Sequence, residues 1–176
     1  MTLSEWANLH PDNLVAEPPD KSAIAELCAV ADREIRDAER VESYDGRLGH
    51  AYTVCLALAA AALAASGYRV RHGSPAHHWR LIESLEHTLG LTPAEVKELQ
   101  DYRKKRSLSV YQRAGIVTST EAESALTAAC ETGSRPGLHQ NIPTFCPSDA
   151  PDDAAPSGER HLPLPSSPLP APLRRL

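Results

Sequence analysis

The densest group of side chains that could do chemistry in this sequence is a basic run. Residues 102–113 read Tyr-Arg-Lys-Lys-Arg-Ser-Leu-Ser-Val-Tyr-Gln-Arg. Arg103 and Arg106 continue the helical stripe of Val96 and Leu99, so at least one guanidinium should face the fold or a partner instead of bulk water. Cations near the C-terminal end of a helix are also favoured by the helix dipole. The run predicts a local anion site, and the alternatives are a solvated helix end or a salt bridge to a second chain.

The chain is acidic overall, so an anion site is expected only at this run. The 176 residues carry a formal net charge of -5, and residues 1–133 account for all of it. A protein that neutralises phosphates over a broad surface is normally basic overall. Any contact with nucleic acid must therefore be local.

The histidines offer a second set of candidate groups, and they do not form a familiar metal motif. His72, His77 and His78 lie close in sequence, but adjacent helical residues diverge by about 100° and no cysteine or acidic residue completes a known spacing. We therefore predict no metal and no cofactor. His50 and Tyr52 gain interest only if they face the cleft of Arg106, because an isolated buried pair usually has a structural role.

The cysteines and the apolar segments indicate a cytoplasmic chain. Cys28, Cys55, Cys130 and Cys146 form no Cys-x-x-Cys pair, so we interpret them as reduced thiols. No basic residue precedes Lys21, which does not fit a secretory signal. The run from residue 51 to residue 65 is mostly alanine, and we interpret it as a buried helix rather than a membrane span.

Apolar periodicity and capping residues predict five helices. Their approximate ranges are 20–40, 47–66, 74–90, 92–111 and 118–130. The third should begin with Ser74 as its cap and Pro75 in its first turn. The alanine-rich second helix should be central, because small side chains let neighbours approach closely. No segment alternates with period two, so the fold class is all-α, an antiparallel bundle of four to five helices.

Composition divides the chain into three parts. Ten of the 15 prolines lie between Ser134 and Leu176, where too little apolar surface is available to offset the entropy of ordering. We predict an N-terminal arm at residues 1–19, a helical bundle at 20–133, and a disordered proline-rich tail at 134–176.

Four segments together resemble the HEPN superfamily of helical nucleotide-binding and ribonuclease domains. They are an acidic first helix, the segment from His50-Ala51-Tyr52-Thr53 to Ala64-Ala65-Ser66-Gly67-Tyr68-Arg69, the helix His77-His78-Trp79-Arg80-Leu81-Ile82-Glu83-Ser84-Leu85, and the arginine-rich fourth helix. The resemblance spans about residues 20–130. It is closest to small bacterial members in which an Arg-Lys-Arg stretch is followed by tyrosine.

The resemblance implies which residues form the site. Catalytic members carry an arginine, a polar residue and a histidine about five positions after the arginine, and two copies meet across a homodimer. Arg106 matches the arginine and Ser107 the polar position, whereas Tyr111 stands where the histidine would be. Tyrosine titrates near pH 10 and is a poor acid or base at neutral pH. Loss of a matched acid–base group typically lowers the rate by about 10²–10⁴-fold.

Three functions follow as alternatives. The first is a non-catalytic module that binds RNA phosphate or a nucleotide through Arg103, Arg106, Ser107 and Tyr111. The second is an active metal-independent ribonuclease toxin in which Arg106 and Tyr111 are catalytic and a histidine such as His50 assists. The third is a structural interaction bundle. The resemblance also implies a homodimer, a toxin–antitoxin or antiphage setting, and a nucleotidyltransferase-like antitoxin as a partner.

Overall fold

The computed structural model describes residues 1–141, which form seven helices and two short strands. The helices are α1 (Leu3–Asn8), α2 (Lys21–Arg40), α3 (Tyr44–Ala65), α4 (His77–Thr88), α5 (Pro93–Tyr111), α6 (Ser119–Gly133) and α7 (Pro136–Asn141). The strands are β1 (Leu14–Ala16) and β2 (Tyr68–Val70). The predicted all-α class is confirmed at this level. Most of the tail predicted for residues 134–176 lies outside the described residues.

Two capping boxes begin α5 and α6 where the sequence predicts them. The hydroxyl of Thr92 accepts from the amide of Glu95, whose carboxylate accepts from the amide of Thr92. Thr118 and Glu121 form the same reciprocal pair. Each box provides partners for amides that a helix N-terminus otherwise leaves unpaired. The first residue of α5, the helix that carries Arg103 and Arg106, is therefore determined by neighbouring residues in the sequence.

Helix α3 occupies the centre of the bundle. It packs against α2, α4, α5 and α6, and half of its 22 residues are buried. The helix is long and apolar enough to cross a membrane. This is weak evidence of a membrane span, because most of its apolar stretch is buried in the bundle. The central position accounts for the alanine-rich composition, because small side chains let four helices approach one axis.

The start of α4 differs from the prediction. The helix begins at His77, and Ala76 precedes it without a side-chain cap. The hydroxyl of Ser74, predicted as the cap, accepts from the amide of Ala76 at 3.3 Å and donates to Asn13 Oδ1 at 2.8 Å. Ser74 is nevertheless not the N-cap of α4, because residues 75 and 76 form a turn and the helix begins only after it.

The N-terminal segment packs into the core instead of lying at the periphery. Trp6 is 2% exposed and its ring lies 5.0 Å from that of His87. Strand β1 pairs antiparallel with β2, with Leu14 opposite Val70. Three-residue strands are too short to show alternation, which explains why the sequence pattern did not predict them.

The bundle also continues past the predicted boundary at residue 133. Helix α7 follows α6 and buries Leu138 completely. Its Pro136 is one of the ten prolines that suggested an unfolded tail, but proline is tolerated in the first turn of a helix. Proline density alone therefore placed the boundary several residues too early.

Candidate anion-binding site

Residues 102–111 of the basic run lie on α5, and the lysines of this helix are paired with acids. Lys97 and Lys104 both bind the carboxylate of Asp101, at 2.6 and 2.9 Å. Lys105 pairs with Glu121 on α6. The hydrogen bonds from the two lysines hold the pKa of Asp101 at about 2. Each of the three lysines thus has an acidic partner within the chain, although Lys97 and Lys104 share one carboxylate.

Two of the three arginines of the same run, Arg103 and Arg106, lie against aromatic rings. The guanidinium carbon of Arg106 is 5.9 Å from the ring centroid of Tyr52, and that of Arg103 is 5.4 Å from the ring centroid of Trp79. Both distances are typical of cation–π contacts. Arg103 Nε also donates to Gln100 Oε1 at 2.9 Å. Within residues 1–141, neither guanidinium forms an ion pair with a carboxylate.

Tyr52 and His78 complete this arginine–aromatic cluster, which we define as Tyr52, His78, Trp79, Arg103 and Arg106. The ring of His78 meets the ring of Tyr52 edge-on at 5.9 Å. Burial raises the pKa of Tyr52 well above its ordinary range although both arginines oppose the shift. Partial desolvation of the ring also lowers the pKa of His78, with further lowering by His77 and the two arginines. Both side chains therefore favour their neutral forms, and the arginines supply the fixed positive charge.

Two buried polar atoms in the cluster have no hydrogen-bond partner within the described chain. They are the hydroxyl oxygen of Tyr52 and Nε of Arg106. Buried polar groups are almost always paired, by protein, water or a ligand. The cluster therefore retains hydrogen-bonding capacity beside an unneutralised guanidinium.

A cleft of about 340 Å³ adjoins the cluster, between α2, α3 and α5. Its walls include Glu34, His50, Thr53, Arg106, Ser109 and Val110. His50 Nδ1 lies 2.8 Å from Glu34 Oε2. His50 shares the cleft of Arg106 and so meets the condition that gave it functional interest in the sequence. Tyr52 contacts Arg106 from the buried side and does not line the cleft.

Ser107 and Tyr111 do not join this cluster. Ser107 is exposed, and Tyr111 is 76% exposed at the last residue of α5. Because α5 is unbroken from Arg106 to Tyr111, the two side chains project about 140° apart. The structure brings Arg103 and Arg106 together with Tyr52, and it leaves the two other sequence candidates on solvent-facing surface.

The side chains that could hold a metal ion are not the histidine pair considered in the sequence analysis. The rings of His77 and His78 are 5.8 Å apart, and no third ligand group converges on them within residues 1–141. Instead, ligand atoms of Glu34, Asp37 and His50 lie within 4.8 Å of one another. The sequence signal was weak, because it consists of two acids three positions apart on α2 and a histidine on the next helix.

The described cysteines behave as core thiols. Cys28 and Cys55 are buried, Cys130 is half-buried, and all three are free. Burial raises the pKa of Cys28 to about 11 and that of Cys55 to about 12. They are protonated at neutral pH, so they are poor nucleophiles. Cys146 lies outside the described residues.

Comparison with known proteins adds no relative. No family model, no curated protein and no solved structure matches the chain. The HEPN resemblance stays a prediction, and the geometry of the arginine–aromatic cluster and its cleft is what bears on function.

Proposed function

We propose that this protein is a non-catalytic helical module that binds the phosphate of RNA or of a nucleotide at Arg103 and Arg106. One observation carries the proposal. The guanidiniums of Arg103 and Arg106 lie on aromatic rings without a carboxylate partner, whereas the three lysines around them are paired. An arginine held in this way keeps donors available for a phosphate, which it can bind in a bidentate manner.

The aromatic side chains favour a ligand that also carries a base. Trp79 is 42% exposed although its ring contacts Arg103, and the neighbouring His78 is also exposed. Unpaired bases stack on aromatic rings and on guanidinium planes, and stacking tolerates any sequence. A single-stranded RNA or a nucleotide fits this combination better than a duplex, whose bases are stacked on one another.

The absence of turnover rests on the position of Tyr111. Its side chain is exposed and diverges from Arg106, so it is badly placed to act on a phosphodiester held by the same chain. Tyr52 does contact Arg106, but its pKa is raised by burial. Neither phenol is suited to take up a proton at neutral pH.

A metal-independent ribonuclease is the second candidate, and the position of His50 favours it. If His50 Nδ1 donates to Glu34, its Nε2 is left as the basic nitrogen. A carboxylate-oriented histidine of this kind can accept a proton from a 2′-hydroxyl. Arg106 on the wall of the same cleft would then bind the phosphate.

The proposal includes a homodimer formed through the end of α5. Leu108, Val110 and Tyr111 are 42%, 56% and 76% exposed, and Val110 also lines the cleft of Arg106. A second copy packed on this surface would bring its Tyr111 toward the site. We further propose a cytoplasmic setting of the toxin–antitoxin or antiphage type, with a nucleotidyltransferase-like protein as a partner.

Binding of a labelled single-stranded RNA, measured by fluorescence anisotropy without added metal, tests the proposal. Arg106→Ala should weaken binding roughly 10-fold or more, because hydrogen bonds to charged groups contribute about 1.5–3 kcal/mol. Lys104→Ala is the matched control from the same helix and should change binding less than about 2-fold. Circular dichroism checks that both variants keep their helices.

The same samples separate the candidates. RNA that remains intact while binding depends on Arg106 supports the module. Cleavage that disappears in both Arg106→Ala and His50→Ala supports the ribonuclease. Equal binding by wild type and Arg106→Ala, or no binding of RNA or nucleotide at any salt concentration, contradicts the proposed site and favours the structural interaction bundle.

A further inference from the structure

Three side chains on two helices converge at the edge of the Arg106 cleft. Glu34 and Asp37 are three positions apart on α2, and His50 belongs to α3. All three are half-buried, and one ligand atom from each lies within 4.8 Å of the others. Metal–ligand distances of about 2.0–2.2 Å allow two ligand atoms on one cation to lie up to about 4.4 Å apart, so a small adjustment of the side chains would let the three atoms share a cation.

Local pairing explains only two of the three residues. Glu34 Oε2 lies 2.8 Å from His50 Nδ1, and Glu34 Oε1 lies 3.0 Å from a nitrogen of Arg33. The carboxylate of Asp37 has no hydrogen bond or ion pair within residues 1–141, although it is half-buried next to a second acid. The oxygens of Asp37 are therefore available to a cation held by the other two side chains.

We propose that Glu34, Asp37 and His50 form a binding site for a divalent transition-metal cation. Two carboxylates and one imidazole suit Mn²⁺, Fe²⁺ or Zn²⁺, and three protein ligands leave coordination positions open. This site is distinct from the arginine–aromatic cluster, since none of the three ligands belongs to it.

The open side of the site meets the same cleft as Arg106. Glu34 and His50 line that cleft together with Arg106 and Ser109. A cation and a guanidinium on facing walls would attract the same class of ligand, a phosphate or a phosphate ester. The site therefore adds a cation to the RNA phosphate or nucleotide that the proposed function assigns to this cleft, although binding of the cation itself does not depend on that function.

The Asp37 carboxylate distinguishes this proposal from the acid–base pair described above. If Glu34 and His50 act only in proton transfer, the Asp37 carboxylate does not take part. A three-ligand cation site loses a ligand when Asp37 becomes asparagine, while the pair at 2.8 Å stays intact. Asp37→Asn also removes no hydrogen bond of the described fold.

The test is Mn²⁺ binding to the full-length protein without a polyhistidine tag, after treatment with chelator and its removal. Mn²⁺ prefers oxygen and nitrogen ligands over thiols, so the free cysteines do not compete. Electron paramagnetic resonance of free Mn²⁺ gives the dissociation constant. Glu39→Gln, an exposed acid two positions further along α2, is the matched control, and circular dichroism checks every variant.

We expect one saturable site in the wild type and in Glu39→Gln. Asp37→Asn and His50→Ala should each weaken it by about 10-fold or more, since loss of even an outer-shell partner typically costs 10–100-fold in metal affinity. No saturable binding in the wild type would overturn the proposal. Equal binding by wild type and Asp37→Asn would also overturn it, because the cation would then be held elsewhere on the chain.

Discussion

The basic run on α5 has two faces that carry the same charge in different surroundings. On one face, Lys97 and Lys104 share the carboxylate of Asp101 in solvent. On the other face, Arg103 and Arg106 lie on the rings of Trp79 and Tyr52 without a carboxylate. Charge is therefore a poor guide to the site by itself, and the partners of each cation indicate which face remains available for a ligand.

Helical spacing explains the difference. Residues three and four apart are neighbours, so Lys97, Asp101 and Lys104 form one exposed row. Arg103 and Arg106 instead continue the row of Leu99, which is buried toward the bundle. The arginine face is consequently shaped by α3 and α4, whereas the lysine face is shaped only by its own helix.

The largest expected effect concerns the ring beneath Arg106. Tyr52 is 3% exposed and its hydroxyl has no partner within residues 1–141. Tyr52→Ala should destabilise the protein by about 3–5 kcal/mol, as removal of large buried aromatic side chains does. Tyr52→Phe should stay within about 1 kcal/mol of the wild type, because it removes only an unsatisfied hydroxyl. Urea denaturation measures both, and a similar loss in the two variants would mean that the hydroxyl has an essential partner.

A smaller effect separates charge from geometry on the arginine face. Arg106→Lys keeps the charge but loses the planar group that lies on Tyr52. We expect RNA affinity to fall by roughly 10-fold, because lysine does not replace a bidentate or stacked arginine. Isothermal titration calorimetry gives the value. Wild-type affinity in Arg106→Lys would show that the positive charge at this position is sufficient and that the planar guanidinium is not required.

A further prediction uses the titration of His78 beside the two arginines. Burial and the neighbouring cations lower the pKa of His78 from its ordinary value of 6.5, so the imidazole is neutral at pH 7 and gains a proton as the pH falls. RNA affinity should rise as the pH falls below about 6.5, because His78 then gains a positive charge near the two arginines. His78→Ala should flatten this dependence. If the pH dependence of RNA affinity were the same in His78→Ala, His78 would not be the group whose protonation affects binding.

The smallest effect belongs to the lysine face. The pKa of Asp101 is lowered to about 2 by hydrogen bonds from Lys97 and Lys104. A lowered carboxyl pKa contributes stability above the ordinary value near 4, and the contribution is lost as the pH falls toward 2. Exposed pairs contribute little, so Asp101→Asn should lower the melting temperature only slightly near neutral pH and by less still as the pH falls through about 2. A large loss at neutral pH would mean that this face is structural.

The sequence predicts the helices well where their signals are local. The pairs Thr92–Glu95 and Thr118–Glu121 begin α5 and α6 as expected, because a capping box needs only four residues. Ser74 looked like a cap on the same local grounds, and its hydroxyl does accept from the amide of Ala76, but a turn separates it from the first residue of α4. The pattern identified the residue that binds a backbone amide and placed the start of the helix too early.

The candidate site also has parts that local spacing predicts and parts that depend on how the helices pack. The stripe shared by Leu99, Arg103 and Arg106 is enough to indicate an inward-facing guanidinium. The rings that receive the guanidiniums come from α3 and α4, and no sequence spacing relates Tyr52 to Arg106. Asp37 was missed for the same reason, since its convergence with His50 depends on how α2 and α3 pack together.

The most direct test of the central claim is the salt dependence of RNA binding in two double variants. One variant replaces both arginines, Arg103→Ala with Arg106→Ala, and the other replaces Lys97→Ala with Lys104→Ala. Each phosphate contact to a single strand contributes about 0.7 to the slope of log K against log salt concentration. We predict that the slope falls by about 1.4 in the arginine variant and stays at the wild-type value in the lysine variant. An unchanged slope in the arginine variant, or an equal fall in both, would contradict the assignment of the arginine face as the phosphate site.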